Sequence, residues 1–426
     1  MRYPYVPTIL AVAALSTYVT SLSAQTAATA ETAAVERVTS DLRFLAEDAR
    51  EGRGVGTEGL DQAAEYVAQS FRAAGLEPGG PDGFFQYFEI SPSAPGAAHT
   101  NLGGSRVRNV IGVLPGRGPL AGQVVVVGAH YDHLGYGIAQ FSLDPDSVQV
   151  IHNGADDNAS GTAALLEIAR LLGARNDANR RTIAFVAFTA EELGTIGSQY
   201  YAEHPVLPHD STYAMLNFDM VGRLRGDSLV VIGAASAEEL QQIVESVNTD
   251  FAMSLAWQSD PWGRSDHSSF YAKQIPVVHF FTDLHEDYHR TTDDWDKINT
   301  AGIARIADFA ANLATDLATR SAPLTYVDVP RPTPPAAQAG RRRASLGTIP
   351  DMTDSPGGVR LSGVRAGTAA DEAGLQAGDI LIQIGEHEVK NLNDMQTALM
   401  AYQAGDTVLL VVLREGERIE ANATLK

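Results

Sequence analysis

Four runs of this chain are apolar almost throughout: Val124–Val127, Thr182–Phe188, Tyr213–Met220 and Ile275–Phe281. A strand with one wet face alternates apolar and polar side chains. A strand apolar along its length is buried on both faces, as in the sheets of α/β proteins. Between the first two runs, Gly161–Leu172 carries apolar residues at helical spacing. Upstream, Ala33 to about Leu45 and Gly59–Ala74 do the same, the second with Ala63, Ala64, Val67 and Phe71 on one stripe. Strand and helix thus alternate from residue 107, which predicts an α/β fold. The glycine-rich stretch Arg50–Thr57 links the two early helices. No strand precedes it and no Gly-Lys-Ser/Thr closes it, so it reads as a tight connector and not a phosphate loop.

The pattern changes at both ends. Residues 1–24 carry Arg2, an apolar stretch from Tyr5 to Val19, and then small residues (Ser21, Ser23, Ala24, with Ala27 and Ala28 beyond). This is the order of a secretory signal peptide, with cleavage after Ala24 or Ala28. The apolar stretch is short for a bilayer span, and Pro4, Pro7 and Ser16 weaken it, so no stable membrane anchor is expected. Near the other end, residues 321–340 hold Pro323, Pro330, Pro332, Pro334 and Pro335 and read as a linker. Residues 341–426 show short strands, glycine turns and one helix near Asn393–Tyr402, a small β-rich domain. The expected organisation is a leader (1–24), a main domain (33–320), the linker and the C-terminal domain, in a protein exported to a periplasm or secreted.

Composition narrows the chemistry. With 426 residues, 44% apolar and 19% charged, the chain can bury a core and divides into two domains. Its net charge of −21 excludes nucleic acid as a partner, since phosphate contacts need a basic patch. It contains no cysteine, so disulfides and thiolate ligands are excluded and any metal must be held by nitrogen and oxygen.

Nitrogen and oxygen ligands cluster at the ends of the apolar runs. His130 and Asp132 follow the first strand. Gly154-Ala-Asp-Asp-Asn-Ala-Ser-Gly161 sets two carboxylates at a turn before a helix, Glu191 and Glu192 follow the second strand, and Asp219 sits in an apolar run where an unpaired carboxylate is costly. His289 stands in the polar turn Asp283–Asp296, beside Tyr288, His285 and Asp293. Adjacent carboxylates repel one another unless a cation holds them, and one carboxylate can bridge two cations. A ligand histidine gives its other ring N–H to an acceptor, a task for which Asp132 is placed. Asp266, in Ser265-Asp-His-Ser-Ser269, is a candidate supporting residue. His152, His204, His209 and His387 lack such company and are expected at the surface. Either aspartate of the pair 156–157 fits the bridging role.

Together these motifs, over about residues 35–320, resemble the zinc-dependent aminopeptidases related to the Streptomyces and Vibrio enzymes, which share a fold with glutamate carboxypeptidase and glutaminyl cyclases. The resemblance implies a mixed, mostly parallel sheet flanked by helices. It implies two zinc ions, one on His130 and Asp219, the other on Glu192 and His289, bridged by Asp157 ahead of a cis peptide. Glu191 takes the place of the catalytic base and Tyr288 that of an oxyanion donor. Some relatives put a tyrosine where Trp262 stands here, and an indole N–H is a second candidate donor. The expected activity is removal of N-terminal residues from peptides with a free amino terminus. A carboxypeptidase, for which Arg223, Arg225 and Arg264 offer cations, a glutaminyl cyclase, and a non-catalytic peptide-binding protein are the alternatives.

Residues 342–426, with Ser345-Leu-Gly-Thr-Ile349 and Ala373-Gly-Leu-Gln-Ala-Gly-Asp-Ile-Leu381, resemble a PDZ domain of the bacterial protease-associated kind. That resemblance implies capture of a C-terminal peptide by strand addition, with Leu346 and Gly347 forming the carboxylate loop and Arg341–Arg343 nearby.

Overall fold

A computed structural model describes residues 10–331 and 344–426, apart from residues 95, 98–99, 138–140, 145–148, 354 and 356. Most of the proline-rich stretch, Arg341–Arg343, the first nine residues and the side chains of residues 10–27 lie outside the described residues. Residues from Leu10 onward belong to a helix, α1 (Leu10–Ala46). No helix among the described residues is long and apolar enough to cross a membrane.

The four apolar runs become neighbouring strands. β4 (Val124–His130) pairs in parallel with β5 (Thr182–Phe188) and β6 (Thr212–Phe218), and β6 with β9 (Val277–Phe281). β4 shows why such runs are apolar throughout. Val125, Val127 and Ala129 point into one core, while Val124 and Val126 point into the other. Burying one such side chain is worth about 1.5–3 kcal/mol, so a polar residue on either face is costly. The first core lies under α1, α2 (Glu58–Ala73), α3 (Gly161–Gly173) and α7 (Thr300–Thr319). The second is closed by α4 (Ile196–Glu203) and α6 (His267–Tyr271) through Tyr201, Phe270 and Tyr271. The strands are shorter than the runs: β6 ends at Phe218, just before Met220 with its φ of 52°, and β9 starts at Val277, after Pro276.

Antiparallel strands complete the sheet: β3 (Arg106–Leu114) against β5, and β7 (Ser228–Ile232) against β9. The resulting order is β1-β3-β5-β4-β6-β9-β7-β8, with β2 (Phe85–Glu89) on β3, β1 being Glu77–Pro78 and β8 Ser254–Gln258. The sheet is mixed and its centre is parallel. The carboxyl ends of β4, β5, β6 and β9 therefore open on one edge, where α/β sheets build their sites.

The C-terminal part is a separate antiparallel sheet, β10 (Thr348–Pro350), β11 (Val359–Val364), β12 (Ile380–Ile384), β14 (Thr407–Arg414) and β15 (Glu417–Thr424), with β13 (His387–Glu388) on β12. Its own core includes Leu346, Leu361, Leu381, Ile384, Leu410 and Val412, beneath α8 (Ala369–Glu372) and α9 (Leu392–Met400). It touches the first domain around β10 and β11. Ser362 Oγ donates to Asp283 Oδ2 at 2.9 Å, and Met352 packs against Met220, Val230, Ile232 and Phe281.

Candidate metal centre

Six carboxylate and imidazole groups meet at the sheet's carboxyl edge. His130 is the last residue of β4, Glu191 and Glu192 follow β5 by three and four residues, and Asp219 follows β6 at once. His289 comes from the turn after β9 and Asp157 from the irregular turn before α3, in which the Asp157–Asn158 peptide is cis. His130 Nε2 lies 3.4 Å from Asp157 Oδ1 and 3.3 Å from Asp219 Oδ1. His289 Nε2 lies 3.1 Å from Asp157 Oδ2 and 3.2 Å from Glu192 Oε2. Each oxygen of Asp157 thus faces a different histidine.

Zinc fits this arrangement. Ligand atoms about 2.1 Å from a tetrahedral ion stand about 3.4 Å apart, close to all four separations. The ring tautomers agree. His130 Nδ1 lies 3.2 Å from the carbonyl of Asp132 and His289 Nδ1 lies 2.8 Å from the carbonyl of Phe141, which leaves both Nε2 lone pairs facing the carboxylates. Electrostatics point the same way. Burial lowers the pKa of His130, but Asp219 and Glu191 outweigh it and drive the ring well above its usual range; Glu192 and Asp157 do the same for His289. The cluster demands positive charge.

Glu191 stands apart from its neighbour. Burial, and then Asp266, Asp219 and Glu192 working against His130, hold its carboxyl well above the usual range. Burial and Asp157 raise Glu192 too, yet His289 and His133 overcome them and bring it to about 2. One carboxylate is poised to accept a proton and the other stays ionised.

The supporting shell differs from expectation in several places. The carbonyl of Asp132, not its carboxylate, faces His130; the carboxylate is 3.7 Å away and instead accepts the main-chain N–H of Glu191 at 3.1 Å and of Glu192 at 3.4 Å. Asp156 turns away from the cluster, accepting from Ser160 Oγ and the Gly222 N–H, with His285 Nε2 3.1 Å from its other oxygen. Trp262 has no free donor, because its indole N–H goes to the Val329 carbonyl at 2.8 Å. His152 is buried, not at the surface, since Ser142 Oγ and the Val150 carbonyl engage its ring and the Gly52 turn packs on its backbone. His209 and His387 are only partly covered and His204 is exposed. Asp266 is buried beside the cluster, its carboxyl raised to about 7 by burial. Tyr288 stacks on His289 with ring centroids 3.9 Å apart. Leu346 and Gly347 sit in the other domain, in the loop before β10.

Two residues escaped the sequence reading. His133 Nδ1 lies 2.6 Å from Glu192 Oε1, too close for two ligands of one ion and right for a hydrogen bond, so His133 orients Glu192. The spacing His130-x-Asp132-His133 was its signal. Arg53, inside the glycine-rich connector, is fully buried and donates to the carbonyls of Leu45, Tyr131, Asn153 and Gly154. It ties the connector to both ligand-bearing turns.

Both domains resemble known proteins. Residues 109–314 match the model of peptidase family M28 and residues 344–425 that of the PDZ domain. Residues 109–314 thus form a peptidase family M28 domain. A PDZ domain follows this peptidase domain. Among curated relatives, this M28 peptidase is 24% identical over 309 residues to uncharacterized protein YfbL of Escherichia coli, covering 65% of this chain and 86% of that one. It is 27% identical to leupeptin-inactivating enzyme 1 of Streptomyces exfoliatus over 61% of this chain, but spans only 50% of that enzyme's length. Two solved structures share the M28 fold at 18% identity: BSAP, a zinc aminopeptidase from Bacillus subtilis (TM-score 0.54, 68% of this chain and 96% of that one), and a Bacteroides thetaiotaomicron glutaminyl cyclase (0.53, 67% and 97%).

Proposed function

We propose that this protein is an exported di-zinc aminopeptidase that removes N-terminal residues from peptides. The observation that carries the reading is Asp157, whose two oxygens face His130 and His289 in two separate ligand groups. In this reading His130, Asp219 and Asp157 hold one zinc, and Glu192, His289 and Asp157 the other. Bound there, the metal supplies Lewis acidity, which lowers the pKa of a water and polarises the scissile carbonyl. Glu191, kept basic by its buried and acidic surroundings, takes the water's proton and returns it to the leaving amine. The Tyr288 hydroxyl, beside His289, donates to the oxygen that becomes negative as the carbonyl turns tetrahedral. Asp132 and His133 fix the two glutamates, and Arg53 fixes the turns they answer to.

Carboxypeptidase action lacks a comparable feature. Arg223 is held by Asp287 at 3.0 Å and Asp293 at 3.1 Å and is not free to take a substrate carboxylate. The test is product identity. Purified protein with zinc, given tripeptides with free or acetylated amino termini, is expected to release the first residue from the free series only, as read by mass spectrometry. Release of the last residue, or cyclisation of N-terminal glutamine without hydrolysis, would replace this reading.

A further inference from the structure

β10 ends the C-terminal sheet: one edge pairs with β11, and no strand among the described residues pairs with the other. The turn before it is set for an anion. The Leu346 carbonyl accepts from the Ala370 N–H and the Gly347 carbonyl from the Arg365 N–H. In planar trans peptides the following N–H points opposite to the carbonyl, so the N–H groups of Gly347 and Thr348 aim away from the domain. Gly347 has a φ of 80°, and a Cβ there would meet Thr368 at 2.2 Å, so the turn admits only glycine. Successive N–H groups in such a turn form a concavity for a carboxylate.

The direction of β10 gives this pocket a use. The strand runs from that turn through Pro350 to Asp351 and Met352, and Met352 packs in the cluster that includes Leu284 and Tyr288. Tyr288 in turn stacks on His289. A peptide added antiparallel to β10, its carboxylate at Gly347, therefore runs with its amino end toward the metal centre. We propose that the PDZ domain and the metal centre read opposite ends of the same substrate, a linear peptide with both termini free. The idea rests on the aminopeptidase reading and adds a length to it. Gly347 to Met352 is six residues at about 3.3 Å each, and about two more carry the peptide on toward Tyr288, giving a substrate of about eight residues. Pro350 has no N–H to give, so the edge offers fewer ladder bonds and the tether is weak, as turnover requires. Guanidinium groups line the junction from both sides: Arg365, whose pKa burial and then the nearby Arg290 lower, and Arg290 itself.

The experiment uses the full-length protein with zinc and a peptide series of about three to twelve residues sharing one N-terminal sequence, each as free acid and as C-terminal amide. Amidation is expected to lower kcat/KM about tenfold near eight residues and to leave tripeptides unchanged. The same acid-to-amide ratio at every length, with the first residue still released, would overturn the proposal alone. No release of the first residue from any peptide, tripeptides included, would overturn the aminopeptidase reading and this proposal with it.

Discussion

The carboxylate of Asp132 accepts the main-chain N–H of Glu191 at 3.1 Å. One side chain at the end of β4 thereby sets the turn that presents both glutamates after β5. Asp132→Ala leaves two buried N–H groups without their acceptor, at a cost of about 1–3 kcal/mol. It is expected to lower kcat by about 10–100-fold, the usual effect of removing an outer-shell partner. Denaturant unfolding and steady-state kinetics on the same preparation check both halves. Unchanged kcat in a folded variant would dissociate Asp132 from the site.

Replacing Glu191 by Gln keeps the shape and removes the base. We expect kcat to fall by about 10²–10⁴-fold while the zinc content of the protein stays that of the unaltered chain. Metal analysis beside kinetics separates the two. Loss of zinc in this variant would make Glu191 a ligand and leave the base unassigned.

Chelation is expected to abolish activity and zinc to restore it. Elemental analysis is expected to find about two zinc ions per chain, and about one in Asp219→Ala, whose remaining ligands serve the other group. Zinc that binds only the folded state also raises the unfolding midpoint in proportion to the logarithm of its concentration. A single tightly bound ion in the unaltered protein would contradict the bridging role of Asp157.

In the C-terminal domain, Arg414 grips the buried Asp379 with two bonds, at 2.7 and 2.8 Å. Burial raises that carboxyl, and Arg414 with the Gln376 N–H more than compensates, holding it below its usual range. A depressed folded pKa stabilises fully above the unfolded value, about 3.9, and the gain disappears as pH falls below it. Urea unfolding followed from about pH 6 to about pH 2.5 is expected to show that loss, and Arg414→Met to reduce it. Equal pH slopes in the two proteins would remove the pair from the account.

Much of this was legible in the sequence for physical reasons. Strands buried on both faces betray themselves as unbroken apolar runs, and β4, β5, β6 and β9 stand where those runs do. Carboxylates at strand ends betray a need for cations. β8 escaped because a short, partly covered strand carries no such run, whereas β7 has one, Leu229–Ile232, that was passed over. The choice between Asp156 and Asp157 depends on how one irregular turn rotates, which spacing does not encode. His152 was misjudged because its cover comes from a glycine turn about a hundred residues earlier, and a lone histidine says nothing of what packs on it. Trp262 lost its assigned task to a carbonyl at Val329, a partner distant in sequence.

Arg53 binds four carbonyls drawn from positions 45, 131, 153 and 154. A local helix or hairpin forms as soon as its own residues are free to move, but this arginine has no task until three distant segments have met. The candidate ligands are likewise drawn from segments far apart in the chain, and their second group is complete only with the turn that carries His289. A chain interrupted before that turn keeps His130, Asp157 and Asp219 but lacks the His289 that faces Glu192, so the two groups differ in how much of the chain each one needs.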